Sequence, residues 1–414
     1  MNSIDRRQIC RSVPSFRGFF TAFHSAVFFL VFLTIFLSGA VCVSGSFGAA
    51  ASADTGGEIV LSGGISVFVV DGTADLSGLT REEAEQAAMQ LKAVPDLKRI
   101  VLSKQDTEGN ETFSALSPEE FRTISEAVPD AEYDYCFELA GAMVSTSSTE
   151  ELEFKKRTDF TDAELEQLRI VMPYMRELKS ITVYRCGTSD EAMDAFRADF
   201  PEVKVRWVIR FAAFSAWSDT EKIWAMAGLY DDADAVNLKY FHDLKYLDLG
   251  HNGLKTCEFL YGTPNVEVLI LAVGNMTDIT PVSSLQHLEY LEICDSLVTD
   301  LSPLSSCTTL EHLNLGGIPA TDLSPLYSLT NLKRLFADNM SYISDYDRAV
   351  YEETFRELLP EAEISFEMWP GGGTENGYWR YSRGPYTGSF VPRYQLLREQ
   401  FGYEDNDQAY VYDY

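Results

Sequence analysis

A chain of 414 residues, 46% hydrophobic and 13% aromatic, holds ample material for a large core, which argues against disorder along its whole length. The formal charge is −30, and such a surface repels phosphate backbones, so nucleic acid is a poor partner. Seven cysteines in an odd, scattered set, with no Cys-x-x-Cys spacing, argue against a disulfide framework or a zinc site.

The first 53 residues read as an export leader. Arg6, Arg7, Arg11 and Arg17 precede an apolar run at 26–37, and small residues continue to Ala53. These are the three parts of a secretory signal. Small residues at 38–40 and 51–53 suit cleavage, the uncharged stretch is long enough to stay as an N-terminal membrane anchor, and lipid attachment at Cys42 is a third outcome. In each case the leader contacts membrane at least during export, and the body lies outside the cytoplasm, secreted or anchored.

Residues 54–215 carry a loose repeat of helix, proline and strand. It reads 93–102 (Ala-Val-Pro-Asp-Leu-Lys-Arg-Ile-Val-Leu), 127–136, 171–174 and 199–207, with a fifth copy at 358–366. Proline just after a helix stops it, and the alternating residues that follow form a strand. Capping boxes precede the helices at Thr80 and Glu83, Ser117 and Glu120, Thr161 and Glu164, and Thr188 and Glu191. Either these units are irregular coils of a solenoid with a helical convex side, or they form a separate α/β cap. Residues 216–243 are expected to be a connecting helical segment.

From 244 to 343 a strict 22-residue period takes over. Leu244, Val266, Leu288, Leu310 and Leu332 are in register, followed three residues later by Leu247, Leu269, Leu291, Leu313 and Leu335. Thr-Asp pairs at 277, 299 and 321 and prolines 281, 303 and 325 keep the same phase. Leu-x-x-Leu-x-Leu puts leucines on one face of a short strand, the Thr-Asp-Leu-Ser-Pro segment turns the chain, and later leucines return to the core. Each unit is apolar until a neighbour stacks on it, so the fold class is α/β, a solenoid with parallel strands along one side. Cys257 and Cys307 fall on apolar positions of the period and read as core thiols.

Residues 244–343 resemble the 22-residue leucine-rich repeats of bacterial surface proteins of the internalin type. The resemblance implies parallel strands on a concave face and a ninth-position asparagine bonding the backbone between coils. Asn252 matches; Gly274, Ser296, Ile318 and Met340 depart from it. The order of the whole chain is similar to leucine-rich-repeat proteins of Gram-positive bacteria without an assigned activity. Their tails read Trp-Arg and then Arg-Tyr-x-x-Leu-Arg-x-x-Phe, matched here by Trp379-Arg380 and by 393–401.

Residues 344–369, with a helix at about 346–358, are expected to cap the array, and 370–414 to form a glycine hinge and an aromatic tail. The tail tyrosines either pack along the solenoid or present a strip to a ligand.

No metalloprotease, nucleophile-elbow, phosphate-loop or EF-hand sequence occurs, so no catalytic, metal or cofactor residue is assigned. Asp231, Asp232 and Asp234 read as a solvated acidic turn. Residues between the repeat leucines point out of the concave sheet and stack in two ladders. One is Tyr246, Val268, Tyr290, His312 and Arg334; the other is Asp248, Ile270, Glu292, Asn314 and Phe336. These ten are the candidate partner-binding surface, open to solvent, in which removing Tyr290 and Phe336 costs binding but little stability. The expected function is an extracytoplasmic, non-catalytic protein-binding scaffold. The alternatives are a glycan-binding protein or a cell-envelope hydrolase using the N-terminal half or the tail.

Overall fold

The computed structural model describes residues 57–61, 65–212, 214–367, 379–383 and 387–403. The export leader expected at 1–53 lies outside them. Among the described residues no helix is long and apolar enough to cross a membrane.

The strict period produces a seven-stranded parallel sheet. Its strands are Lys222–Trp224, Tyr246–Asp248, Val268–Ile270, Tyr290–Glu292, His312–Asn314, Arg334–Phe336 and Glu363–Ser365. Register is maintained coil to coil, with Leu247 opposite Leu269, then Leu291, Leu313 and Leu335. These leucines are fully buried on the core side. The return path of each coil is a single 3-10 turn at Glu258–Gly262, Thr280–Ser284, Ser302–Ser306 or Ser324–Ser328. The Thr-Asp pair starts the last three of these turns. The Asp278, Asp300 and Asp322 carboxylates each accept the backbone N–H two residues on, at 2.8–2.9 Å, while the following proline supplies a preset φ. Coils of this kind, each burying its leucines against the next, are a leucine-rich-repeat solenoid.

The sheet is longer than the strict period by one strand at each end. Residues 216–243, expected as a helical connection, instead contain the end of the strand Phe214–Trp217, the strand Lys222–Trp224 and one 3-10 turn, Val236–Tyr240. Ile223 and Ala225, two residues apart in and just after the strand, and Leu238 and Phe241 at the short turn, are all buried in the solenoid core, so this stretch adds a coil rather than a helical connection. At the other end the fifth proline copy supplies Glu363–Ser365, and the helix Asp345–Leu358 covers the last coil with the fully buried Phe355.

The N-terminal half alternates helices with parallel strands. Thr73–Asp75, Arg99–Val101 and Glu132–Asp134 share one sheet, completed by the antiparallel pair Gly57–Leu61 and Ile65–Val70. Glu151–Lys155, Ser180–Tyr184 and Lys204–Phe211 share a second. One hydrophobic cluster runs from Ala74 through Phe366, so these units and the regular coils bury their side chains in a common core. Thr80, Ser117 and Thr161 form capping boxes with Glu83, Glu120 and Glu164. The fourth helix, Asp190–Asp199, is capped by Ser189 rather than Thr188. The Ser189 hydroxyl accepts from Ala192 N at 3.2 Å, and its own N–H is taken by Asp162 at 2.7 Å.

Cys257 and Cys307 are buried thiols, pushed up in pKa by burial. Asn252 does what the family pattern implies. Its Nδ2 donates to the Ala225 and Leu249 carbonyls at 2.9 Å, and its Oδ1 accepts from Gly228 N and Tyr230 N at 2.9 and 3.2 Å.

Candidate functional site

Sheet register stacks the two expected ladders and lengthens them. Tyr246, Val268, Tyr290, His312 and Arg334 continue to Glu363, and Asp248, Ile270, Glu292, Asn314 and Phe336 continue to Ser365. Trp224 opens the second ladder opposite Asp248. Neither Trp224 nor Glu363 lies in the strict period, so phase alone could not find them; the Leu-Pro-Glu-Ala-Glu-Ile copy is the signal that points to Glu363.

This face is not open, as expected from sequence, but covered by the chain's own C-terminal segment. Val268 is 0% exposed, Tyr290 and Glu292 1%, and Phe336 2%. The covering segment comprises Trp379 and Arg380, the short antiparallel pair Tyr381–Arg383 and Thr387–Phe390, and the helix Pro392–Phe401. Face and segment together form a second hydrophobic cluster, separate from the solenoid core. Tyr290 and Phe336 are therefore buried aromatics, and removing them leaves cavities instead of a neutral surface change. Solvated alternation along a strand predicts an outward side chain but not what lies over it, which is why a covered face reads as an open one.

Three anchors seat the segment. At the C-terminal end of the sheet, the Trp379 ring packs 5.3 Å from Tyr290 and 5.2 Å from Phe336. The Arg334 guanidinium lies 4.9 Å from the Trp379 ring centre, donates to the Trp379 carbonyl at 2.7 Å and pairs with Glu363 at 2.6 Å. In the middle, Arg380 grips the buried Glu292 through two nitrogens, Tyr290 donates its hydroxyl to the same carboxylate, and Arg380 lies over the Tyr394 ring at 4.8 Å. At the N-terminal end, Tyr403 donates to Asp248 at 2.6 Å and its ring sits 4.4 Å from Trp224. Gln400 donates to the Tyr246 hydroxyl at 3.2 Å.

Burial governs the electrostatics. It pushes the Asp248 carboxyl above the usual carboxylate range and the Tyr290 hydroxyl well above that of a free tyrosine. Burial opposes the charge on Arg380, yet the facing Glu292, with Tyr394 and Tyr290, holds its guanidinium well above the usual range. His312 lies under Trp379, with ring centres 6.4 Å apart. Burial, reinforced by Arg393, Arg334 and Lys333, pushes its pKa down to about 3. The acidic turn serves the backbone: Asp232 accepts from Lys255 N and Thr256 N, and Asp231 from Ala233 N. Among the described residues no group of His, Cys, Asp and Glu could hold a metal ion.

No protein-family model and no curated protein matches the sequence. Solved structures do. An internalin from Listeria monocytogenes is 14% identical, with a TM-score of 0.27, over 59% of this chain and 64% of its own. The chain thus spans just under two thirds of that internalin. An internalin C2 from the same organism is 20% identical, with a TM-score of 0.30, over 49% of this chain and 83% of its own. A leucine-rich-repeat protein from Leptospira interrogans is 16% identical, with a TM-score of 0.32, over 68% of this chain and 74% of its own.

Proposed function

We propose that this chain is a non-catalytic, extracytoplasmic scaffold that recognises a protein partner through its leucine-rich-repeat sheet. The supporting observation is that the concave ladders already hold a polypeptide. Residues 379–383 and 387–403 are seated by a tryptophan, an arginine on a buried carboxylate and stacked tyrosines, the side-chain chemistry that concentrates binding energy in protein interfaces. A face that binds one segment of protein this way has the shape and charge to bind another. Saturable binding of a purified protein, first captured from an envelope extract by residues 54–414, tests the reading. Failure to find one sinks it.

A second reading has one observation of its own. An open polar hollow of about 560 Å³ lies on the first sheet, lined by Asp75, Arg99, Lys104, Glu111 and Asp134 among others. Carboxylates converging on a hollow suit a glycan or its hydrolysis. Turnover of cell-wall polymers that Asp75→Asn or Glu111→Gln abolishes would replace the scaffold reading with this one.

A further inference from the structure

Residues 379–383 and 387–403 touch the sheet without joining it. Among the described residues Tyr381–Arg383 and Thr387–Phe390 pair only with each other, and the helix Pro392–Phe401 closes on its own backbone with Gly402 in the left-handed conformation, φ 73°. No strand of the seven loses a ladder hydrogen bond if the segment leaves. The solenoid core is undisturbed too, because the apolar cluster under the segment is separate from it. What holds the segment is side-chain chemistry. That seam is also incompletely satisfied: the buried polar atoms His312 Nδ1, Trp379 Nε1, Arg393 Nε and Gln400 Oε1 have no hydrogen-bond partner among the described residues.

We propose that residues 379–403 are a displaceable ligand held in cis, and that a partner gains the concave face by replacing them. The inference rests on the scaffold reading and names the kind of partner. When the segment leaves, Glu292 keeps only the Tyr290 hydroxyl and Asp248 only the Gly250 N–H, so an incoming segment that buries these carboxylates again must replace the Arg380 fork and the Tyr403 hydroxyl. The arriving partner is a protein segment with an aromatic residue next to an arginine, the aromatic for the Tyr290–Phe336 pocket and the arginine for Glu292. A tyrosine further on meets Asp248. Lysine is a poorer substitute for that arginine, because the fork reaches both carboxylate oxygens. A chain whose own segment is seated binds such a partner weakly, because only the fraction with an open face is competent.

A fluorescent peptide with the sequence 379–403, titrated against residues 54–414 and followed by anisotropy, tests this. Arg380→Ala in the protein loosens the cis segment while leaving the face intact, so the peptide is expected to bind about tenfold tighter than to the parent chain. Adding Glu292→Gln to that variant removes the gain, as does replacing the arginine of the peptide with alanine. Hydrogen exchange read together with it is expected to show 387–403 opening faster in Arg380→Ala while the strands of 244–343 stay protected. That rules out general unfolding as the cause. Equal peptide affinity for parent and variant, with the segment as protected as the strands, overturns the proposal and makes 379–403 a fixed lid. A purified protein that binds both chains equally well also overturns displacement, but leaves the scaffold reading standing.

Discussion

Gly274 stands where the leucine-rich-repeat resemblance implies asparagine, and its neighbours show why it is glycine. A Cβ built there would sit 2.6 Å from the Asn252 backbone carbonyl oxygen, inside contact distance of an atom that cannot swing away. The backbone of the preceding coil passes too close to this position for a second asparagine. Restoring the pattern with Gly274→Asn is therefore expected to cost about 2 kcal/mol, seen as a lower urea midpoint with an unchanged slope. A midpoint at or above that of the parent sinks this account. Ser296 meets part of the need differently, its hydroxyl donating to the Ile293 carbonyl at 2.7 Å. A second recurring residue follows the same period. His251, Val273, Asp295, Gly317 and Asn339 all adopt positive φ, between 52° and 76°. Five coils thus turn alike with five different residues, so the turn is imposed by stacking and could not be read from composition.

At the scale of elements, the strands and 3-10 turns of 244–343 were legible because leucine, Thr-Asp and proline repeat in phase. The element least legible in its place was the C-terminal segment. Its tail motif was visible at 393–401, but nothing local says that those residues form a helix or that Trp379, Leu397 and Phe401 lie against Val268, Ile270 and Tyr290. The seated segment has a consequence in acid. His312 titrates at about 3 in the fold against 6.5 when free, so it stays neutral in the folded chain. A depressed pKa contributes stability that is whole above pH 6.5 and is lost as pH falls toward 3. By about pH 4.5 the loss is about 2–3 kcal/mol. Burial holds Asp338 at about 6 and raises Asp248, and these carboxyls act in the opposite sense, favouring the fold as pH falls. They cancel when the parent is compared with His312→Asn. The difference in unfolding free energy between the two is expected to shift toward the variant by that amount between pH 7 and 4.5. A difference that does not change with pH sinks the prediction.

For the whole molecule, the decisive property is that stability passes from coil to neighbouring coil. One period can therefore be taken out without ending the array. Excision of 266–287 places Leu288 directly after Asn265 and keeps the phase, so a single cooperative transition at a lower midpoint is expected by circular dichroism. Excision of the half period 266–276 removes a strand but keeps its turn, and is expected to lose that transition. If both deletions melt alike, the coil is not the unit of stability. The ends are closed by elements outside the strict period, Lys222–Trp224 on one side and Glu363–Ser365 with the helix Asp345–Leu358 on the other.

The sequence by itself determined the solenoid, because a 22-residue period in leucine is a statement about burial that only stacked coils satisfy. It also determined which ten side chains leave the concave side, because alternation along a strand is local. Only the tertiary structure decided that those side chains are covered, that Trp224 and Glu363 lengthen their ladders, and that Arg380 answers Glu292 across 88 positions of chain. Contacts that distant have no periodic signature: they depend on where the chain returns in space, and burial, charge and ring geometry choose that place together.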